Sequence, residues 1–224
     1  MTRIVAIRPE PGLTSTLEAA RVMGLDIAGV PLFEIRPLDW DCPDPALIDG
    51  LLIGSANAIL HGGAQLGQIK GKPVYAVGQT TAATARDAGF EVAAIGKGGL
   101  QNVLDAVPAP MRLLRIAGAE HVPLTPPEGV SIETVIAYES AALPLEHSAI
   151  ETLGDRPIVL LHSAAAASHF ASECDRLHLN RGDLTLAVLG PRIASAAGAG
   201  WHSVHVSPHP SDSALLEMIR DMCV

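Results

Sequence analysis

A passage that occurs twice decides the fold of this chain. Residues 77–92 read VGQTTAATARDAGFEV, and residues 189–204 read LGPRIASAAGAGWHSV. Each copy begins at the apolar end of a strand and continues through a glycine turn into a helix of small residues. Each then closes with a glycine, an aromatic residue and a short strand. The passage therefore predicts the same strand–helix–strand unit in both halves of the chain.

Two further pairs of segments extend the repeat. LIGSANA at residues 52–58 resembles LHSAAA at residues 161–166, and residues 24–34 resemble residues 129–139. Two similar halves imply two similar domains, and a ligand commonly binds in the cleft between such domains. We therefore expect a two-domain protein with a ligand in the cleft.

Composition excludes several classes of protein. The 224 residues are 48% apolar but only 3% aromatic, so the core must consist of Ala, Val, Ile and Leu, as in parallel sheets. A net charge of −9 without a cluster of Lys and Arg argues against nucleic acid as a partner. No apolar run approaches about 20 residues, so no membrane span is expected. Three scattered cysteines suggest reduced thiols and a cytoplasmic protein.

Strand-like and helix-like segments alternate along almost the whole chain, which predicts parallel strands joined by helical crossovers. The predicted strands are 3–8, 26–30, 50–54, 73–77, 91–95, 111–116, 131–136, 157–161, 184–189 and 203–206. The predicted helices are 13–23, 56–66, 79–88, 99–106, 146–153, 164–178, 191–198 and 211–222. The predicted fold class is α/β, with two similar flavodoxin-like domains, each a parallel sheet flanked by helices.

Two extended stretches interrupt this alternation at equivalent places in the two halves. The first is FEIRPL at residues 33–38, and the second is VIAYESAALP at residues 135–144. If residues 35–37 and 137–140 pair as a two-stranded linker, they divide the chain in two. The predicted domains are then an inserted α/β domain at 38–136 and a discontinuous α/β domain made of 1–34 and 141–224.

The turns after the predicted strands hold the candidate binding residues. In open α/β sheets, ligands bind beyond the carboxyl ends of the strands, and backbone N–H groups at helix starts suit carboxylates or phosphates. Any single Ser or Thr there could merely cap its helix, but six such turns favour a ligand site. The turns are Ile7-Arg8-Pro9, Gly54-Ser55-Ala56-Asn57, Val77-Gly78-Gln79-Thr80-Thr81, Ile116-Ala117-Gly118, His162-Ser163-Ala164 and Leu189-Gly190-Pro191-Arg192.

Other patterns point away from common cofactors and nucleophiles. GKGG at residues 96–99 could hold an anion or be a plain surface loop, and neither a Walker A motif nor a Rossmann fingerprint is present. GSAN at residues 54–57 lacks the closing glycine of a nucleophile elbow. His202, His205 and His209 have no further ligand at metal spacing, so we expect solvated histidines. Tyr138 could donate a proton to a leaving group or simply pack between the linkers.

Taken together, these motifs resemble the uroporphyrinogen-III synthase family over nearly the whole chain. Arg8-Pro9 resembles the family's opening, LIGSANAI at residues 52–59 its (I/F)TSxNAV segment, and VGQTTA at residues 77–82 its VGxxTA segment. VIAY at residues 135–138 is similar to its VxxY linker tyrosine. LLHSA at residues 160–164 and LG at residues 189–190 are similar to the second-half counterparts.

The chain also departs from the family's pattern. Gly54 and His162 stand where Thr usually precedes Ser, and Ile193 replaces Thr in the second GxxTA segment. The loop after Gly118 lacks the Arg that often follows. At these positions the substrate contacts are expected to differ from the family's usual ones, and a weakened or divergent member is the alternative.

The resemblance implies a lyase without cofactor or metal that cyclises hydroxymethylbilane, a linear tetrapyrrole rich in carboxylates. The terminal hydroxyl leaves as water, ring D inverts through a spiro intermediate, and the macrocycle closes as uroporphyrinogen III. Catalysis would come mostly from positioning, with Tyr138 assisting departure of the hydroxyl. The candidate substrate-binding residues are Arg8, Ser55, Ala56, Asn57, Gly78, Thr81, Gly118, Ser163, Ala164 and Gly190.

Two other interpretations stay open. One is a non-catalytic bilobal protein that binds a tetrapyrrole or another small polyanionic ligand. The other is a nucleotide-dependent enzyme, which the missing phosphate motifs disfavour. The synthase interpretation also leads us to expect a transient contact with the preceding enzyme of the pathway.

Overall fold

The computed structural model describes residues 3–223, which form two compact units. The discontinuous unit combines the residues up to Glu34 with those from Ala141 onward, and the inserted unit is Ile35–Ser140. Each unit is built on a sheet flanked by helices, so the predicted α/β fold class is confirmed. The assignment of the two units as separate domains, with the boundaries given above, stays a prediction.

The strands and helices alternate along the chain. The strands are β1 (Ile4–Ala6), β2 (Ile27–Gly29), β3 (Phe33–Pro37), β4 (Gly50–Ile53), β5 (Val74–Ala76), β6 (Val92–Ile95), β7 (Met111–Gly118), β8 (Val130–Ala142), β9 (Ile158–Leu161), β10 (Thr185–Val188) and β11 (Ser203–Val206). The helices are α1 (Gly12–Val22), α2 (Asn57–Leu60), α3 (Gln79–Asp87), α4 (Leu100–Asp105), α5 (His147–Leu153), α6 (Ala164–Arg176), α7 (Pro191–Ala197) and α8 (Asp212–Met222). Short 3₁₀ turns occur at Pro45–Leu47, Ala64–Ile69 and Arg181–Asp183.

The discontinuous unit is a doubly wound parallel sheet in the order β11-β10-β9-β1-β2. Helices α1 and α8 pack on one face, and α5, α6 and α7 pack on the other. The chain leaves β1 through α1 and leaves the neighbouring β9 through α6, so the two connections cover opposite faces. This point of reversal is the topological switch point of a flavodoxin-like sheet.

The inserted unit repeats this arrangement from a different starting strand. Its sheet has the order β3-β8-β7-β4-β5-β6, and the registered pairs from β8 to β6 are all parallel. Helices α2 and α3 pack on one face and α4 on the other. Strands β7, β8, β4, β5 and β6 take the places of β1, β2, β9, β10 and β11. The switch point of this unit therefore lies between β7 and β4.

The repeated passages of the sequence occupy equivalent places in the two sheets. Residues 77–92 form the turn after β5, helix α3 and the start of β6, and residues 189–204 form the turn after β10, helix α7 and the start of β11. Residues 52–58 and 161–166 likewise follow β4 and β9, the switch-point strands. The repeat in the sequence is thus a repeat of supersecondary structure.

Two predicted elements differ from the structure. The helix predicted at 56–66 is wrong: α2 ends at Leu60, and the chain resumes as a 3₁₀ turn. Gly63 causes the break because its φ of +70° is incompatible with a continuing helix, and the Gly62 carbonyl instead accepts a hydrogen bond from Trp40 Nε1 at 2.9 Å. The strand predicted at 131–136 extends to all of β8, which includes the predicted linker residues 137–140.

Candidate functional site

The inserted unit contains a cavity of about 480 Å³ at its topological switch point. Strand β4 continues toward β5 and β7 continues toward β8, so the two connections diverge and leave a crevice beyond the carboxyl ends of the strands. The walls come from the ends of β4, β5 and β7, the start of α4, the loop 120–124 and Tyr138 of β8. The volume falls in the range of about 300–1,000 Å³ that is usual for small-molecule sites. We call it the switch-point cavity.

Small residues at the ends of the switch-point strands keep the cavity open. Gly54 follows β4, and Ala117 and Gly118 end β7. A Cβ on Gly54 would lie 2.9 Å from Leu100 Cδ2, so a larger residue there would displace the end of the Leu100 side chain. Glycine at this position therefore leaves room for the Leu100 side chain of α4 beside the crevice.

Tyr138 borders the cavity and is held there by the backbone of β7. It is the register partner of Gly118, at a register shift that follows Ala117. A Cβ on Gly118 would lie only 2.7 Å from Tyr138 Cε2. The Tyr138 carbonyl also accepts a hydrogen bond from the Ala119 N–H at 2.9 Å. The ring can therefore occupy this position because Gly118 has no side chain.

Arg115 places a buried positive charge at the same cavity. It is 7% exposed, lies in the otherwise apolar stretch 113–117 of β7, and borders the cavity. Among residues 3–223, no hydrogen bond or ion pair joins its guanidinium to another group. Burial lowers the pKa of Arg115, and the neighbouring Tyr138 opposes part of that shift. The guanidinium nonetheless stays protonated at any physiological pH.

The sequence analysis did not identify Arg115 as a site residue because it treated the residue only as part of a predicted strand. The available signal was one charged residue inside LLRIA at residues 113–117, a stretch that is otherwise suited to a buried strand. Alternation along a strand places Leu114 and Ile116 on one face and Arg115 on the other. Leu114 and Ile116 do pack in the core with α2 and α3, while Leu113 packs on the opposite, α4 side.

A ring of polar contacts holds the side of the cavity formed by α4 and the loop after β7. Gln101 Nε2 donates to the Thr125 carbonyl at 2.8 Å, and Gln101 Oε1 accepts from the Thr125 N–H at 3.0 Å. His121 Nδ1 donates to the Gly118 carbonyl at 3.0 Å. The bonds of Gln101 hold the loop after β7 against α4, so this wall of the cavity is stabilised by hydrogen bonds between side chains and backbone.

The glycine-rich loop at residues 96–99 contributes to this wall. The side-chain amide of Asn102 donates to the carbonyls of Lys97 and Gly98, at 3.1 and 3.3 Å. Gly99 borders the switch-point cavity. Of the two roles that the sequence left open for this loop, a structural one has direct contacts, whereas anion binding stays a prediction.

Three of the predicted site residues in the inserted unit, Ser55, Gly118 and Tyr138, border one cavity. Ser55 Oγ also accepts a hydrogen bond from the Asn57 N–H at 3.2 Å. Within residues 3–223, Asn57 Oδ1 is buried without a hydrogen-bond partner. Ser55 is therefore both a local turn residue and a hydroxyl at the cavity wall.

The other predicted residues of the inserted unit lie outside the cavity lining. They are Ala56, Asn57, Gly78 and Thr81. Thr81 is 5% exposed in the first turn of α3, and the Gly78 carbonyl accepts from the Ala82 N–H at 3.0 Å. Their predicted substrate contacts stay predictions.

Four polar side chains meet at the switch point of the discontinuous unit, with Asp212 at their centre. Arg8 Nη1 donates to Thr16 Oγ1 at 3.1 Å and lies 3.5 Å from Asp212 Oδ2. Thr16 Oγ1 donates to Asp212 Oδ2 at 2.7 Å. His162 Nε2 lies 2.7 Å from Asp212 Oδ1. Arg8 thus has partners within its own unit, and its predicted role in substrate binding stays a prediction.

The network stabilises the ionised form of Asp212. Burial alone would raise the pKa of this carboxyl, but hydrogen bonds from His162 and Thr16, together with the charge of Arg8, lower it below its ordinary value. The His162 side chain is 7% exposed, and within the described chain its Nδ1 is buried without a partner. The sequence analysis placed Asp212 only within the predicted helix 211–222 and did not foresee this network.

The two switch points differ because of the residues that end their strands. The repeat aligns Ser163 with Ser55, and therefore His162 with Gly54. Continuing the register of β1 and β9 by two residues places Arg8 beside His162. Continuing the register of β4 and β7 by one residue places Gly54 beside Ala117. At this place the discontinuous unit has the side chains of Arg8 and His162, whereas the inserted unit has only the hydrogen of Gly54 and the methyl group of Ala117. The cavity of the inserted unit occurs where the discontinuous unit has its polar network.

The remaining predicted residues of the discontinuous unit lie at helix starts. Ser163 Oγ accepts from the Ala166 N–H at 3.1 Å and caps α6, which begins at Ala164. Gly190 precedes α7 in an extended conformation. Capping accounts for the contacts of Ser163, and substrate contacts by these three residues stay predictions.

No group of three or more potential metal-binding side chains occurs within residues 3–223. His205 Nε2 lies 3.1 Å from Ser203 Oγ, and His202 and His209 are exposed. None of the helices in the described part of the chain is long and apolar enough to cross a membrane.

Comparison with known proteins identifies the family. The family model for uroporphyrinogen-III synthase HemD (HEM4) matches residues 15–217, which is most of the chain. No curated protein matches the chain significantly. The predicted family resemblance is therefore confirmed by the family model.

Solved structures show the same fold. The uroporphyrinogen-III synthetase from Helicobacter pylori 26695 is 19% identical, with 99% of this chain and 100% of that chain covered and a TM-score of 0.68. A mutant uroporphyrinogen III synthase from the extremely thermophilic bacterium Thermus thermophilus is 16% identical, with 100% and 99% covered and a TM-score of 0.52. Fold and family model agree, and the chain belongs to the uroporphyrinogen-III synthase HemD family.

Proposed function

We propose that this chain catalyses the closure of hydroxymethylbilane to uroporphyrinogen III, with inversion of ring D. The observation that carries the proposal is the position of Tyr138, whose ring lies against Gly118 at the wall of the switch-point cavity. Membership of the family supports the same function. The reaction class is a cyclising hydro-lyase.

The first step of the reaction needs a hydrogen-bond or proton donor. The carbon–oxygen bond of the terminal hydroxymethyl group breaks, the oxygen leaves as water, and the resulting positive charge is delocalised into the pyrrole. A proton must therefore reach the departing oxygen. Tyr138 offers a phenolic O–H at the cavity, and its fixed ring would hold this donor in one orientation.

The later steps need positioning more than acid–base chemistry. The cation is attacked by the substituted carbon of ring D, which gives the spiro intermediate. The bond from that carbon to the bridge with ring C then breaks, and the bridge carbon bonds to the free α-carbon of ring D, which loses its proton. Ring D is thereby inverted and the macrocycle is closed. The same reactive species closes without inversion when it is free in water. Apolar walls, among them Val77, Leu100 and Ile116, would exclude water and restrict the ring's approach.

The proposal includes independence from cofactors. The net change is loss of one water with no change in oxidation state, so the reaction requires neither an oxidant nor a reductant. Binding of the substrate would draw on Ser55 and Gly118 at the cavity wall and on the other candidate residues given above. Among them, Ser55 has the most direct support because its hydroxyl borders the cavity.

A cytoplasmic site of action is part of the same proposal. Cys42, Cys174 and Cys223 are all unpaired, as expected for a protein of a reducing compartment. We also keep the expectation of a transient contact with the enzyme that supplies the bilane. A substrate that closes spontaneously to the wrong isomer gains from a short path between the two enzymes.

The test is an isomer analysis. Purified full-length protein is incubated with hydroxymethylbilane, the products are oxidised, and the type I and type III isomers are separated. We expect type III isomer in excess over a blank without protein. Type I isomer alone, formed at the spontaneous rate, would contradict the synthase function. If the bilane is bound under the same conditions, that result would indicate a binding protein instead.

A further inference from the structure

Within the described residues, the charge of Arg115 has no partner, whereas other arginines form ion pairs. Arg112, three residues earlier on β7, forms an ion pair with Asp49 at 2.9 Å, and Arg176 pairs with Glu173. Arg115 is 7% exposed and, within residues 3–223, has no such partner. Arg115 borders the cavity, and removing a cation from most of its water without a counter-charge costs free energy. A negative group from outside the chain would remove this cost.

The surroundings of Arg115 define the chemistry of that group. A guanidinium donates two parallel hydrogen bonds to the two oxygens of a carboxylate, a geometry that a lysine cannot reproduce. Among the described residues at the cavity, the only acid is Glu120, which is exposed in the loop and forms no bond with Arg115. The neighbouring apolar walls suit a flat ring. The arrangement fits a pyrrole that carries an acidic arm.

We propose that Arg115 binds a carboxylate of one pyrrole ring of the substrate and thereby determines which ring lies beside Tyr138. This inference rests on the proposed function, because it assigns the acid to the same substrate and the same cavity. Arg115 and Tyr138 border one cavity from adjacent strands, so a ring anchored at the first is presented to the second. Arg115 is a specificity-determining residue in this scheme.

The change in melting temperature on replacing Arg115 has opposite signs for a ligand-binding role and for a structural role. An arginine that stabilises the fold lowers the melting temperature when it is replaced. Replacing an arginine whose partner is a ligand raises the melting temperature of the free protein, because an apolar side chain removes an unpaired buried charge. We therefore expect Arg115→Met to raise the melting temperature of the free protein by about 2 °C or more, while it weakens binding of the acid.

The binding experiment uses the full chain and a small probe. The probe is a monopyrrole with one acetate and one propionate arm, titrated by NMR or calorimetry, and its dimethyl ester serves as the uncharged comparison. We expect Arg115→Met to weaken binding of the diacid by about 10-fold or more and to leave binding of the diester unchanged. Arg115→Lys, which keeps the charge but loses the fork, should recover part of the affinity.

Arg112→Gln is the matched control, since it removes an arginine from the same strand that already has a partner. It should leave binding of the diacid unchanged. Equal affinity of Arg115→Met and wild type for the diacid would overturn the proposal, as would a fall in melting temperature without loss of affinity. If Arg115→Met does not fold, the test uses the Nε–Hε NMR signal of Arg115 in the wild type, which is assigned by its absence from Arg115→Lys. This signal must shift when the diacid is added. A signal that does not move overturns the proposal as well.

Failure of this inference and failure of the proposed function give different results. A wild-type protein that makes only the type I isomer, yet binds the diacid through Arg115, contradicts the synthase function and keeps the anion site. A wild-type protein that makes the type III isomer, while Arg115→Met binds the diacid normally, contradicts the anion site and keeps the function.

Discussion

Gly118 and Tyr138 are register partners on β7 and β8, and the tyrosine ring occupies the space that a side chain at position 118 would need. The added Cβ of any other residue would lie 2.7 Å from Tyr138 Cε2 and 3.2 Å from the hydroxyl oxygen. The position of the proposed donor therefore depends on the absence of one methyl group from the neighbouring strand.

Gly118→Ala should displace the Tyr138 ring and lower turnover. The clash involves the ring itself, so we expect a loss of at least about 10-fold in kcat/KM, because a shift of about 1 Å in a catalytic group has effects of this size or larger. Isomer analysis of initial rates measures the effect. Gly67→Ala is the control, since a Cβ at Gly67 meets nothing within 4 Å. Wild-type turnover in Gly118→Ala would show that the ring position is unimportant.

Tyr138→Phe should lower turnover without unfolding the protein. The ring is retained and its packing preserved, whereas the O–H donor is lost, for which a fall in kcat of about 100-fold or more is expected. The chain's second tyrosine gives the matched control: Tyr75 is 8% exposed and outside the cavity lining. Tyr75→Phe should therefore retain wild-type turnover. If both variants turn over at the wild-type rate, Tyr138 has no role as a donor.

Much of this fold could be predicted from the sequence because its repeat units are short and local. Glycine turns, small-residue helices and apolar runs predict each strand and helix to within a few residues. The helix predicted at 56–66 was wrong because Gly63 has a positive φ and the Gly62 carbonyl accepts a hydrogen bond from the distant Trp40.

The candidate site was predictable only where a residue belongs to a motif. Tyr138, Ser55 and Gly118 were named from turns and from the linker pattern. Arg115 was not, because alternation along a strand shows that a residue faces inward but not that the space beside it is empty. Asp212 was missed for a related reason: its partners Arg8 and His162 are far away in the sequence.

Asp212→Asn should destabilise the protein at neutral pH by about 1–3 kcal/mol, the cost of leaving its partners without a charged acceptor. The folded pKa of Asp212 is lowered, so the carboxylate stabilises the protein above its unfolded pKa of about 3.9 and ceases to do so as the pH falls through the folded value. The difference in unfolding free energy between wild type and variant should therefore shrink between pH 7 and pH 3, as measured by urea unfolding.

Asp221→Asn provides the comparison on the same helix, because the Asp221 side chain is 78% exposed and its nearest cation is 4.0 Å away. We expect it to change the unfolding free energy by less than about 0.5 kcal/mol at any pH. A difference for Asp212→Asn that stays constant from pH 7 to pH 3 would contradict the role assigned to the ionised carboxylate.

Cys174 should be inert in the folded protein. Burial raises the pKa of its thiol to about 12, so almost none of it is the reactive thiolate at pH 8. Reaction with a coloured disulfide reagent should modify the exposed Cys223 first, and Cys174 only after denaturant is added. Cys223→Ser removes the fast phase and serves as the control. Fast modification of Cys174 in native buffer would show that the core around α6 opens readily.

The pairing of β1 with β9 has a consequence for synthesis of the chain. Strand β1, Ile4–Ala6, lies between β2 and β9, so it must wait for Ile158–Leu161 before it is paired on both sides. At typical elongation rates this delay is roughly 8–30 s. All residues of the inserted unit emerge from the ribosome within that interval. We therefore expect the half that carries the cavity to fold first during translation, while the N-terminal strand depends on the last third of the chain.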